Sequence, residues 1–152
     1  MSNDINNISV SWLSQLKTSG YKLTGPRYCV IEILSHSDIA LTAMEIYNQA
    51  QQQYPSIGLV SVYRALEKLE VLGLIQKVHQ KEKCQAYIAA SRGHEHLLVC
   101  HICGKVSYFQ GDNLKPLVNV VEKKTGYLVQ DHWLQLVGIC KECQKKQLRN
   151  IA

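Results

Sequence analysis

The chain has 152 residues, 46% of them apolar and 19% charged, with 17 Lys/Arg against 12 Asp/Glu for a net charge of +5. That length fits one ordinary domain or two small ones and excludes a large enzyme architecture, while the composition is far from that of a disordered chain. No apolar run approaches the roughly 18 residues that span a bilayer, and Met1-Ser2-Asn3-Asp4-Ile5-Asn6 has neither a basic nor a hydrophobic export region, so a cytoplasmic protein without membrane contact is expected.

The first helix is expected over residues 9–19, where Val10, Leu13 and Leu16 recur at helical spacing and Gly20 is a stop. A second begins at Pro26, whose fixed φ suits a first helical position, and carries Val30, Ile31 and Leu34. Thr42-Ala43-Met44-Glu45 is a capping box for a third, which ends near Tyr54-Pro55 because proline disfavours helix at the residue before it. Gly58-Leu59-Val60-Ser61 opens a fourth that runs to Leu72, buries Val62, Leu66 and Leu69, and stops at Gly73. Short strands over 74–78 and 86–89 then flank the polar tip Gln80-Lys81-Glu82-Lys83. Helices followed by such a hairpin make a winged helix. Beyond it, strands are expected around a Cys-x-x-Cys turn within 97–109, a helix over 113–125 ended by Gly126, a strand run over 127–138 and a polar helix over 141–149. The fold class is α+β: a winged helix-turn-helix over residues 1–90 and a small α/β domain over 91–152. The first part carries eight Lys/Arg against seven Asp/Glu, hence +1, and the second nine against five, hence +4, from which four cysteine thiolates holding one divalent zinc would subtract about two, so charge alone picks out no DNA-binding half.

In a chain without an export signal, six cysteines read as metal ligands or redox thiols rather than as a disulfide framework. Cys100-His101-Ile102-Cys103 and Cys140-Lys141-Glu142-Cys143 are two Cys-x-x-Cys pairs, with Gly104 after the first and Gly138 before the second as the small residues of tight turns. Two such turns complete a tetrahedral structural zinc site. The competing readings are a thioredoxin-like redox pair, which usually occurs once at a helix start, and buried spectator thiols. Four thiolates leave no open position for catalysis, and no nucleophile–base grouping stands out, so neither a zinc hydrolase nor a thiol oxidoreductase is expected. Cys29, alone on an apolar helix face, reads as a small core residue.

In a winged helix the last helix before the wing enters the major groove with its N-terminal side chains at base edges, here Ser61, Tyr63 and Arg64. Arginine can bind guanine O6 and N7 bidentately, and a tyrosine ring can pack on a thymine methyl. The alternative makes Tyr63 a core residue and Arg64 a solvated one. His94 and His96, two apart on a strand, share a face and could reach one metal, although strands also accommodate structural histidines.

Tyr21-Lys22-Leu23-Thr24-Gly25-Pro26-Arg27, Thr42-Ala43-Met44-Glu45-Ile46-Tyr47, Gly58-Leu59-Val60-Ser61-Val62-Tyr63-Arg64-Ala65-Leu66 and His94-Glu95-His96-Leu97-Leu98-Val99-Cys100-His101-Ile102-Cys103-Gly104-Lys105-Val106 follow each other as in the ferric uptake regulator (Fur) family, which the chain resembles from about Trp12 to Cys143. The resemblance implies a homodimeric, metal-responsive repressor of metal homeostasis genes that binds a palindromic operator in double-stranded DNA and dimerises through its C-terminal domain. It implies that Tyr63 and Arg64 contact bases, that Lys22 is a minor-groove residue and Arg27 a backbone contact, and that a regulatory metal, Zn2+ or Fe2+, binds near His94 and His96. Here the chain departs from the family. Three residues rather than two separate His96 from Cys100, and family ligand positions fall at Ala40, Ile88, Tyr108 and Lys115. The nitrogen and sulfur donors that remain, His79, Cys84, His94, His96 and His132, resemble the zinc uptake regulator (Zur) branch, with Cys84 alternatively an exposed wing-tip thiol. A sensor of His79, Cys84, His94 and His96, or one built around His94, His96 and His132, is expected; iron- or peroxide-responsive regulators are the alternatives within the family.

Overall fold

The structure is a computed structural model that describes the backbone of residues 2–80, 83–90, 95–111 and 113–149, and their side chains except at 2–7, 80, 83, 84 and 148. The elements run α1 (Ser2–Thr18), α2 (Gly25–Ser35), β1 (Leu41–Thr42), α3 (Ala43–Gln53), α4 (Leu59–Val71), β2 (Ile75–Gln80), β3 (Lys83–Ala89), β4 (Glu95–Cys100), β5 (Val106–Gln110), α5 (Lys115–Thr125), β6 (Gln135–Gly138) and α6 (Lys141–Arg149).

Helix α1 starts a good two turns earlier than its apolar spacing indicates. Its inward face is Ile8, Trp12 and Leu16, one residue per turn, whereas Val10, expected inside, is 62% exposed. The capping box at α3 forms: the Glu45 N–H donates to Thr42 Oγ1 at 3.2 Å and the Thr42 N–H donates to Glu45 Oε2 at 2.7 Å. Helix α4 buries Val62, Leu66 and Leu69 and ends at Gly73, whose φ of +65° turns the chain into β2. Cys29 is buried in the same core, as expected.

Strands β1, β3 and β2 form an antiparallel sheet in the order β1-β3-β2, the wing with one added short strand that sequence periodicity did not reveal. A second sheet has the order β5-β4-β6, with β4 antiparallel to β5 and parallel to β6. Of the strand run expected over 127–138, only Gln135–Gly138 is strand, because β4 offers β6 a ladder only from Leu97 to Cys100. The alternation of β4 divides this sheet into two faces. Leu97 and Val99, with Val106 of β5, pack with Val78, Ala86 and Ile88 of the wing and with Ala40 in one apolar cluster. His96, Leu98 and Cys100 point the other way, where Leu98 and its neighbour Leu136 are partly exposed.

A further join links the α2–β1 connection to the first cysteine turn. The Ala40 N–H donates to the Gly104 carbonyl at 3.0 Å, and the Val106 N–H to the Asp38 carbonyl at 2.9 Å. Thr42→Ala should lower unfolding stability by about 1 kcal/mol, read as a shift of the urea midpoint at unchanged m-value.

Candidate metal centres and nucleic-acid interface

Sequence neighbours and sheet pairing bring the four cysteines together. Cys100 ends β4, and its carbonyl accepts from the Gly104 N–H at 2.9 Å, closing the first turn; Gly104 has φ +76°, which L side chains rarely adopt. The parallel register places Gly138 opposite Cys100, so Cys140 arrives beside it and Cys143 follows in the first turn of α6. All four sulfurs lie within 4.8 Å of one another. Cys103 Sγ and Cys140 Sγ are 3.7 Å apart, which compares with roughly 3.8 Å along the edge of a ZnS4 tetrahedron with 2.3 Å bonds. The set therefore fits zinc, and both pairs converge on one point as a shared ion requires and a single redox pair does not. Gly138 is not needed for its size: a Cβ there would meet Leu98 Cδ1 at an ordinary 3.7 Å, and the second turn is made by the start of α6.

Burial pushes the Cys100 thiol up, but the N–H groups of Cys140, Cys103 and Ile102 stabilise its thiolate and bring it down to about 6. Burial and the neighbouring thiols push Cys143 up to about 12. Of the two, Cys100 is the thiol more inclined to ionise and Cys143 the less.

The histidines separate into two places. His96 is 7% exposed, with ring centroids 5.2 Å from His132 and 5.6 Å from Phe109. Gly111 makes room for it, since a Cβ there would stand 2.1 Å from His96 Nε2. His79 lies on the wing, its ring edge-on to Trp133 at 5.9 Å. Cys84 is on β3 with its side chain outside the described residues, and His94 lies outside them altogether. Among the described residues, the four cysteines form the only group of three or more potential ligands within 4.8 Å. His96 and His132 pair on the face of β4 turned away from the wing cluster, so the structure does not bring His79 to His96.

The departures from the family pattern are structural. Ala40 and Ile88 are sealed in the apolar cluster under the wing. The Tyr108 hydroxyl donates to the Ala89 carbonyl at 2.7 Å, and burial, with the Glu95 carboxylate, pushes it up to about 12, so it remains a donor. Lys115 is the first residue of α5.

On α4, Tyr63 is 52% exposed and Arg64 is exposed, with Ser61 half-buried one turn nearer the N-terminus, so Tyr63 is no core residue. Lys22 is exposed too. Arg27 is turned inward: its Nη1 donates to the Lys22 carbonyl, and its guanidinium lies 5.9 Å from the centroid of the Tyr21 ring, which Lys68 Nζ also approaches at 5.7 Å. It braces the turn that presents Lys22. Sequence reasoning missed Gln135, whose carboxamide bonds both backbone groups of His79; nothing in the spacing of a single glutamine marks that contact.

A winged helix with exposed tyrosine and arginine on its last helix, joined to a small sheet with a thiol cluster and a buried imidazole, His96, beside the exposed His132, is the architecture of a metal-responsive DNA-binding regulator. Residues 18–137 match the ferric uptake regulator family, and the chain belongs to it. It is 31% identical over 138 residues to the ferric uptake regulation protein of Neisseria meningitidis serogroup A, covering 90% of this chain and 96% of that one. The structure of the Helicobacter pylori ferric uptake regulator Fur, described as having three functional metal binding sites, superposes with a TM-score of 0.67 at 27% identity over 92% of this chain and 93% of that one. A zinc uptake regulator complexed with zinc and DNA shares the fold, with a TM-score of 0.71 at 19% identity over 95% and 97% of the two chains. Among the described residues no helix is long and apolar enough to cross a membrane.

Cys103→Ser should lose about one zinc per chain, measured by elemental analysis after dialysis, because three thiolates no longer close the tetrahedron. Zinc held by the wild type should be released as pH falls: binding displaces the Cys143 proton, and acidification through the Cys100 value of about 6 protonates the readiest ligand. Chelator competition between pH 8 and pH 5 measures this, and a pH-independent affinity would exclude thiolate ligation.

Proposed function

We propose that the protein is a cytoplasmic, homodimeric, zinc-responsive repressor of metal homeostasis genes that binds a palindromic operator. The observation that carries the regulatory reading is the His96–His132 pair, in which His96 is buried on the face of β4 turned away from the wing cluster and His132 meets it from the exposed stretch before β6. With His94 two residues before His96, it supplies a nitrogen set around which a sensor can be completed. The described donors there are imidazole nitrogens, for which zinc is a common ion. The four cysteines hold the separate structural zinc, and four thiolates keep that site closed to substrate.

The C-terminal part supports dimerisation by what it leaves uncovered. Helix α5 has no buried residue, and Leu117, Val120 and Val121 are exposed on it, as are Leu98 and Leu136 on the back of the sheet. β6 is an edge strand. Such faces and edges call for a second copy, and a two-fold dimer would present two α4 helices to the two halves of a palindrome.

Tyr63 and Arg64 would read base edges, with Ser61 and Lys22 contacting the DNA beside them and Arg27 holding Lys22 in place. Arg64→Ala should weaken operator binding by about 1–3 kcal/mol with metal content unchanged, and should weaken random DNA much less. Equal losses on both would make Arg64 a backbone contact. For the sensor, titrations of operator binding with zinc, iron(II) and manganese(II) should show the strongest activation by zinc. His132→Ala should abolish it while sparing the structural zinc and the dimer. Activation that survives His132→Ala but fails in Cys84→Ser would move the sensor to the wing.

A further inference from the structure

The register of β2 with β3 slips between Val78 and Gln80, where two steps along β2 lie opposite three along β3, from Ala86 to Lys83, so His79 stands at an irregularity of the ladder. β2 is an edge strand of its sheet, and at His79 Gln135 takes both backbone groups. The His79 N–H donates to Gln135 Oε1 at 3.3 Å, and Gln135 Nε2 donates to the His79 carbonyl at 2.9 Å. Trp133, two residues earlier, meets the His79 ring edge-on at 5.9 Å, and His132 faces the His96 ring at 5.2 Å on the back of the sheet. The stretch from His132 to Gln135 therefore crosses from the histidine pair to the wing. It is otherwise lightly held: before β6 begins, its backbone contact to the sheet is the Leu97 N–H donating to the Leu134 carbonyl at 3.4 Å.

We propose that Gln135, assisted by Trp133, is the positioning residue that carries metal occupancy at the His96–His132 pair to the DNA-binding wing. This rests on the sensor reading above. Holding His132 and His96 on one ion fixes the start of the stretch, so Gln135 and Trp133 stay on His79 for a larger fraction of the time. The wing then keeps one orientation against the C-terminal sheet and, through the dimer, against the partner's wing. The Gln135 carboxamide is committed to the His79 backbone and acts on metal-activated DNA binding through the wing. The polar bracket sits at the margin of the apolar cluster, so its opening lets the wing shift without unfolding either core.

The test compares full-length wild type with Gln135→Ala, both retaining the four-cysteine zinc, as zinc is added. Chelator competition reads zinc affinity, amide exchange over Ile75–Gln80 without DNA reads the wing, and operator binding with and without zinc reads activation. In the wild type, zinc should slow exchange in that segment by about fivefold or more and enhance operator binding by about tenfold. In Gln135→Ala the slowing should vanish and the enhancement fall below about threefold, with zinc affinity changed by less than about threefold. Gln135→Glu, which keeps the acceptor for the His79 N–H and loses the donor, should lie between. The relay is overturned if Gln135→Ala shows the wild-type zinc-dependent slowing and enhancement, if it loses zinc itself, or if zinc leaves the wild-type segment unchanged. Retention of zinc affinity in His132→Ala would instead overturn the sensor reading, and the exchange comparison decides the relay on its own.

Discussion

The two-residue period of strand β4 is the constraint on which this molecule depends. Six residues, Glu95 to Cys100, occupy the centre of the second sheet, and their alternation sorts the protein's tasks onto opposite sides. Leu97 and Val99 face the wing and close a dry cluster with Val78, Ala86, Ile88 and Ala40. His96 and Cys100 face the other way, toward His132 and toward the remaining cysteines. A one-residue slip would put the imidazole and the thiol under the wing and expose the leucine and valine, so register, core and both candidate metal centres are set by the same pairing.

The two candidate centres differ in what surrounds them. The four cysteines sit at the ends of two strands tied by a parallel ladder, and their geometry follows from backbone pairing and a left-handed glycine, which suits a permanent structural ion. The histidine pair draws one partner from strand β4 and the other from the irregular stretch before β6, so its closure depends on a segment outside the ladder. The cysteine turn is not isolated from DNA binding: Gly104 and Val106 are bonded to the Asp38–Ala40 connection, directly before the strand and helix that follow. Removing a metal ion from the four-cysteine site would therefore loosen the winged helix as well as the C-terminal sheet.

Much of this was legible in the sequence wherever the cause is local. The Thr42–Glu45 box, the stops at Gly73 and Gly126, the buried stripe of α4 and the two cysteine pairs all depend on residues within a few positions of each other, and each stands where spacing placed it. The reading weakened where distant partners decide. Residues 127–134 have strand-like composition, but β4 has only four residues to share with β6. β1 is two residues long and exists because β3 pairs with it. The association of His96 with His132, and of Gln135 with His79 across 56 positions, follows from which side of β4 each element reaches, and no periodicity records that.

The central claim is that both metals lie on the back of β4, away from the wing cluster. Anomalous diffraction at the zinc edge from crystals of the zinc-saturated protein tests it directly. The account predicts two peaks per chain, one enclosed by Cys100, Cys103, Cys140 and Cys143 and one between His96 and His132. A second peak beside His79 and Cys84, with no density between His96 and His132, would contradict it.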